Sequence, residues 1–362
     1  MMLLPHPAAE VAAEEVLQWA RLSLFMLEKL QNLKLVNSVV VLNDFFLDRI
    51  IKIPNLDDLY TQILEKSKLG GSIRGISQTD LKGGNATNVA YALARLGCPV
   101  SLITIADKTC SYMIKEIFSE FSNVSLFIID GKPGRTTSLE FNNAGNIVNI
   151  MISDLGDNEN FGPEKLGMKE QDAIKKANAV IVTNWASNEK GTELSQFAFS
   201  KSTSALHFLD PADIQTRPKE FKEALAKLTD DLDSLCINEN ECNVLLKQFG
   251  LDMISGENET RKLVLELAKK SSISVDLHTS TGSYWSNGKE VEFVKSFQAQ
   301  PKFVTGAGDV WDAANLLGYL ANLNPVERLG LANATASLYV SNSLGIPPTM
   351  DEVLSFVEDN NQ

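Results

Sequence analysis

Thr305-Gly306-Ala307-Gly308-Asp309, followed by the apolar run Val310 to Leu320, decides how the rest of the chain is read. Glycines let the backbone turn sharply and approach a ligand closely. Beyond them Trp311, Ala314, Leu317 and Leu320 recur at every third position, with Val310 and Ala313 beside them, so the spacing predicts a helix. A glycine turn that opens a helix points N–H groups without intrahelical partners at whatever lies before it, a ready site for phosphate. Asp309 sits at that same end. A carboxylate there can take the proton of an attacking hydroxyl while the N–H groups hold a phosphoryl group in transfer. The pentapeptide taken singly is also an ordinary turn with an aspartate at a helix cap.

A second glycine turn stands far upstream. Gly83-Gly84-Asn85-Ala86-Thr87-Asn88 opens a helix through Ala90, Leu93, Ala94 and Leu96, which Gly97 ends with Pro99 just beyond. Between the two turns lies Asn238-Glu239-Asn240-Glu241, directly after a short apolar strand. The i, i+3 spacing puts Asn238 and Glu241 on one side of the first helical turn.

The remaining pattern alternates. Buried-type strands are predicted at Val39–Leu42, Ser101–Ile105, Val124–Ile129, Ala179–Thr183, Leu206–Leu209, Ser234–Ile237 and Ile273–Leu277. Thr136–Phe141 and Ile147–Ile152 flank Asn142-Asn143-Ala144-Gly145-Asn146 and read as a hairpin. Helical segments lie around 190–203, 219–229, 239–249 and 258–271. This is the pattern of a mainly parallel sheet covered by helices on both faces, an α/β fold whose ligands sit at the carboxyl ends of strands. Asp48, Asn184, Asp210 and Asn238 all fall at or just after predicted strand ends. Residues 8–35 read as one amphipathic helix preceding the first strand, an extension over 1–36 that could pack on the domain or on a second subunit. Met26 stands as an alternative start.

Composition narrows the class. The 362 residues suffice for a large core, and 46 Asp+Glu against 33 Lys+Arg argue against nucleic acid or an anionic membrane as partner. Cys98, Cys110, Cys236 and Cys242 show no metal-binding spacing and suit a reducing compartment. No apolar run is long enough to span a membrane and no signal-peptide pattern opens the chain, so a cytoplasmic protein is expected.

The two glycine turns, in this order and at this distance, together with Asn238-x-x-Glu241, resemble the ribokinase-like (PfkB) carbohydrate kinase family. The resemblance covers about 39 to 358, including Ala332-Asn333-Ala334, Gly345 and Pro348 near the end. It implies a ribokinase-like kinase domain over 37–362 with a small β-sheet lid, its strands within 48–80 and 132–152. It implies Asp309 as catalytic base, the N–H groups of Gly306, Ala307 and Gly308 as anion hole, and Asp48, Gly84 and Asn88 as substrate-binding residues. Asn238 and Glu241 would position Mg²⁺, partly through water, and nucleotide phosphates. Gly282 and Asn333 would belong to the ATP site. In this family such lids often mediate dimers, so a homodimer through the lid is a further implication.

Departures are visible. Phe303-Val304 replaces the family's frequent Asp-Thr, which puts a potassium site in doubt. Leu277-His278-Thr279-Ser280-Thr281-Gly282 keeps only the last glycine of the family's Thr-Leu-Gly-x-x-Gly, and Trp311 stands where phenylalanine is usual. His278 reads either as a nucleotide contact or as a packed, hydrogen-bonded histidine. Asp44 competes with Asp48 for the substrate role, and position relative to the strand favours Asp48. The resemblance implies ATP- and Mg²⁺-dependent phosphoryl transfer to a hydroxyl of a small sugar or sugar derivative, with a nucleoside as the alternative acceptor and Phe45, Phe46 and Trp185 as the aromatic residues that could line a base slot. A kinase-shaped ligand-binding protein with little turnover is the alternative from another class; the retained Asp309 argues against it.

Overall fold

The computed structural model describes residues 29–30, 38–143 and 146–360. The predicted helix over 8–35 thus lies outside the described residues, apart from 29–30. Thirteen strands appear among the described residues: β1 Val39–Asn43, β2 Phe46–Ile53, β3 Ser77–Gly83, β4 Val100–Ala106, β5 Val124–Asp130, β6 Gly134–Asn143, β7 Asn146–Asp154, β8 Ala179–Thr183, β9 Leu206–Asp210, β10 Ser234–Asn238, β11 Val275–His278, β12 Gly282–Ser286 and β13 Val291–Lys295. The helices are α1 Leu56–Lys66, α2 Asn85–Arg95, α3 Lys108–Ile117, α4 Met168–Lys175, α5 Gly191–Lys201, α6 Pro218–Leu228, α7 Glu239–Gln248, α8 Glu257–Ser271, α9 Ala307–Leu320, α10 Pro325–Ser341 and α11 Met350–Asp359.

Nine strands form the main sheet in the order β13-β12-β11-β10-β9-β8-β1-β4-β5. It is parallel from β11 to β5, and β12 and β13 add antiparallel at one edge. All five residues of β1 and all seven of β4 are buried, which is why they read as mainly apolar runs instead of alternating ones. Two cores flank the sheet. One gathers β1 and β4 side chains with α2, α9 and α10 around Leu93, Trp311 and Leu331. The other lies on the opposite face around Phe161, Phe199, Phe221 and Leu245. Helix α9 is buried continuously from Asp309 to Gly318 because it lies between α2 and α10.

A second, four-stranded sheet has the order β3-β2-β6-β7. Here β2 pairs antiparallel with β3 and parallel with β6, and β6 with β7 forms the expected hairpin. This is the small sheet of the fold; its strands overlap the expected 48–80 and 132–152 but begin at Phe46, and β3 runs on to Gly83 and β7 to Asp154. The reading of Asp48 as a strand-end residue needs correction. The first strand ends at Asn43, and Asp48 is the third residue of β2, inside the lid. The sequence reading also passed over β3, whose stretch Ser77–Gly83 is polar and exposed along four residues, and over α1, a surface helix without a buried residue.

Candidate active site

The two glycine turns meet. Gly306 adopts φ +82, a left-handed conformation that only glycine reaches cheaply, and from it α9 departs. A side chain there would also press on the Tyr339 hydroxyl, 3.1 Å from the Cβ position, and on the Asn88 amide at 3.4 Å. The Ala307 N–H donates to the Val304 carbonyl over 3.1 Å, so it is spent inside the turn. The N–H groups of Gly306, Gly308 and Asp309 find no acceptor among the described residues. The unpartnered donors are thus offset from the expected Gly306–Ala307–Gly308 set by the loss of Ala307 and the gain of Asp309.

Asp309 is held from α2. Asn85 Nδ2 donates to its Oδ1 over 2.9 Å and Asn88 Nδ2 to its Oδ2 over 2.8 Å. Burial pushes its carboxyl well above the ordinary range, and Asp210 adds to this. The two asparagine amides pull the other way, as hydrogen bonds to an ionised carboxylate do. Asp210, the last residue of β9, is raised to about 6 by burial, with Asp44 contributing.

Helix α2 is presented by Asp44. Its cap residue Gly84 has no side chain to offer, so the Asp44 carboxylate accepts from the N–H groups of Asn85 and Ala86, both at 2.9 Å. It also accepts from Thr183 Oγ1 and Asn184 Nδ2. Asp44 is therefore used up as a helix cap from the end of β1, and Asn184 as its brace. Gly84 contributes a turn at φ +95, packed on the backbone of Asp44 and Phe45.

Two cavities lie on either side of the Phe303–Gly308 segment. One, of about 210 Å³, is roofed by the lid and lined by Asp48, Lys82, Asn88, Thr136, Asn149 and Phe303 among others. Gly83 makes room for Asp48 here: a Cβ on it would fall 2.0 Å from the Asp48 carboxylate. Burial raises Asp48 to about 6, against the hydrogen bond from Thr136. The other cavity, of about 350 Å³, is lined by His278, Thr279, Phe297, Gly308, Trp311 and Asn333 among others. His278 packs on Gly308 and tilts against the Trp311 ring at 5.2 Å, and burial lowers its pKa to about 4, so it is neutral at pH 7.

Other expected contacts are committed within the protein. Asn333 accepts from the Trp311 indole over 2.9 Å and donates to the Val294 and Lys295 carbonyls, which leaves it a wall of the larger cavity with its amide occupied. Gly282 opens β12 and packs on Phe293, away from the lining of both cavities. Asn238 and Glu241 form a reciprocal capping box at the start of α7. Phe45 and Trp185 are core residues and Phe46 packs on Gly134, so none of the three lines the smaller cavity. Phe303 packs edge-on to Tyr339 and over Gly345. Lys82, which the motif reading passed over, points into the smaller cavity from β3.

Among the described residues, no three acidic, histidine or cysteine side chains converge as a metal site. Glu241 is nevertheless raised to about 9, first by burial and then by Asp210. A cation would relieve that crowding of carboxyls. The residues therefore fit a Mg²⁺ held mainly by nucleotide phosphates and water.

The chain is similar to known proteins in sequence and in fold. The sequence matches the family described as pfkB family carbohydrate kinase over residues 52–352. It is 25% identical over 287 residues to the ATP-dependent ribose-1-phosphate kinase of Halopiger xanaduensis, covering 78% of this chain and 88% of that one. It is 22% identical over 314 residues to the ribokinase of Bacillus subtilis, covering 82% and 94%. The structure is similar to Arabidopsis thaliana ribokinase complexed with ribose and ATP, with TM-score 0.70, 18% identity and 90% and 99% of the two chains covered. It is also similar to adenosine kinase from Sinorhizobium meliloti, with TM-score 0.65, 18% identity and 84% and 94% covered. These likenesses show a ribokinase-like α/β fold. The match over residues 52–352 makes the chain a member of the pfkB family of carbohydrate kinases.

Proposed function

We propose that the protein transfers a phosphoryl group from ATP, with Mg²⁺, to a hydroxyl of a small sugar or sugar derivative bound under the lid. The observation that carries this is Asp309, held by two amides at the N-terminus of α9, the helix whose opening segment lies between the two cavities. Mg²⁺-bound ATP supplies the phosphoryl group and neutralises charge on it. Asp309 takes the proton of the acceptor hydroxyl. The free N–H groups of Gly306, Gly308 and Asp309 hold the charge on the group in flight. Asp48, Lys82, Thr136 and Asn149 offer hydrogen-bonding partners of the kind a polyol needs, beside Ile50, Leu81 and Met151, and they support a sugar acceptor. Asn238 and Glu241 stand at the end of β10, beside Asp210, where they would steady the metal and phosphates.

The buried free cysteines support a reducing, cytoplasmic setting. Among the described residues no helix is long and apolar enough to cross a membrane. Exposed Ile150 and Ile152 on β7 support a homodimer through the lid. The aromatic ring of Phe303 supports turnover without potassium.

The test is ATP consumption with Mg²⁺ against sugars, sugar acids, polyols and nucleosides, each with and without potassium. Turnover on a sugar class that Asp309→Asn abolishes, with nucleotide binding kept, supports the proposal. Turnover confined to nucleosides replaces the acceptor, and no turnover on any of them rejects the reading.

A further inference from the structure

We propose that Lys82 is a positioning residue for the base: from the lid strand β3 it fixes the orientation of the Asn88 amide, and through it the Asp309 carboxylate. The inference rests on the reading of Asp309 as base given above. Lys82 lies outside both glycine motifs, immediately before Gly83.

The geometry is a chain of two hydrogen bonds. Lys82 Nζ donates to Asn88 Oδ1 over 2.9 Å, and Asn88 Nδ2 donates to Asp309 Oδ2 over 2.8 Å. An ammonium has donors only, and an ionised carboxylate has acceptors only. An amide between them has one satisfied orientation, oxygen toward the lysine and nitrogen toward the carboxylate. Without the cation the amide loses its reason to stay. The flipped amide turns its oxygen to the carboxylate and sets two acceptors face to face. The other arm differs: Asn85 Nδ2 reaches Asp309 Oδ1 at 2.9 Å and Asp210 Oδ2 at 3.3 Å, so two carboxylates orient that amide without a lysine.

The lysine is itself held. Its Nζ lies 4.7 Å from the centre of the Tyr91 ring of α2, and among the described residues it is the one basic side chain lining the acceptor cavity. Burial lowers it to about 8, while Asp309 from α9 and Asp48 from β2 oppose that, so it is mostly charged at pH 7. On the side of Asp309 the titratable neighbours are Asp210 from β9, Asp44 from the end of β1, Tyr339 from α10 and Asp312 from α9 itself.

The placement has a consequence for the lid. Lys82 is carried by the small sheet, paired with Leu47 of β2, whereas Asn88 and Asp309 are carried by the main body. The Asn88 arm that holds the base is therefore oriented only when β3 is seated, which ties that arm to coverage of the acceptor.

Two readouts test this. In protein labelled with ¹⁵N asparagine, the side-chain amide signal of Asn88 is assigned by its loss in Asn88→Asp. Lys82→Met, which keeps the stem and removes the charge, is expected to shift and broaden that signal, whereas Lys82→Arg retains it. In turnover, Lys82→Met is expected to lose about 100-fold in kcat, the scale of a misplaced catalytic group. Its KM for ATP should stay within about twofold, Lys82→Arg should recover most of the loss, and the melting temperature of Lys82→Met should not fall. An unaltered Asn88 signal in Lys82→Met, or full kcat in that variant, overturns the proposal. If the wild-type protein turns over no acceptor, the functional reading fails, and the amide signal still decides for or against Lys82.

Discussion

Asn88 Nδ2 donates to Asp309 Oδ2 across 2.8 Å between residues 221 apart in the sequence. That bond joins the two glycine turns into one site. It makes the orientation of the carboxylate a property of α2, whose start Asp44 caps from the end of β1. The candidate base is thus fixed by contacts from β1, α2 and α9 together.

Replacing the carboxylate tests its chemical role. Asp309→Asn is expected to lower kcat by about 10²–10⁴-fold, the usual worth of a general base. Nucleotide affinity, read by calorimetry, should stay near wild type. Because the folded-state pKa of Asp309 is raised, wild-type activity should fall with decreasing pH at a higher pH than an unperturbed aspartate would give. An acid limb at the ordinary carboxylate value would count against Asp309 as the titrating group.

Gly306→Ala tests the turn. The backbone at φ +82 disfavours any L side chain, and the added carbon would sit 3.1 Å from the Tyr339 hydroxyl. A loss of about 1–2 kcal/mol in stability is expected from the left-handed strain. Activity should fall by more than the fraction unfolded explains, because the N–H donors move with the turn. Retained kcat in a variant with a lowered melting temperature would remove the turn from the anion site.

Asp48 links substrate binding to stability. Its pKa is raised from 3.8 to about 6 in the folded protein. Between those values the folded state binds more protons than the unfolded one, so stability falls as pH rises from about 3.8 through about 6. Above that window the ionised, half-buried carboxylate is a standing cost on the order of 2 kcal/mol. Asp48→Asn is therefore expected to raise the melting temperature at pH 7.5 and to flatten its pH dependence between 4 and 6, while the KM for the acceptor rises. A melting temperature lower than wild type at pH 7.5 would refute the burial argument.

At the far end of α9 sits a buried ion pair. Arg328 Nη1 lies 2.6 Å from Asp276 Oδ1 and also donates to Asn315 Oδ1, and the Tyr319 hydroxyl donates to Asp276 Oδ2 over 2.9 Å. The guanidinium stacks on the Tyr319 ring at 3.7 Å. Removing one partner strands a buried charge, so Arg328→Met is expected to cost about 3–5 kcal/mol by urea unfolding. Adding Asp276→Leu should recover part of that loss. Strict additivity of the two would show that the pair is not coupled.

Much of the architecture could be read along the chain because its signals are local. Val39–Leu42 is a continuous apolar run, and Ser101–Ile105 is largely apolar, because both faces of the parallel sheet are covered. The turn at Gly306 could be recognised because left-handed backbone needs a residue without Cβ. Strand β3 could not be recognised in this way. Ser77-Gln78-Thr79-Asp80 has no apolar face, and its strand character comes from pairing with β2.

For the site the division falls differently. Gly306, Gly308 and Asp309 were legible because turn, helix start and carboxylate are consecutive, so short-range geometry suffices to bring them together. The division of labour between Asp44 and Asp48 was not open to the same reading. Asp44 is consumed as a cap for a helix that begins at Asn85, and Asp48 faces the acceptor cavity because β2 pairs with β3 and β6. The same holds for Lys82, whose partners lie on α2 and α9. Local backbone preference and hydrophobic period are written into neighbouring residues. Which carboxylate is left free, and which lysine stands behind an amide, depends on partners brought together by sheet pairing and helix packing over tens to hundreds of residues.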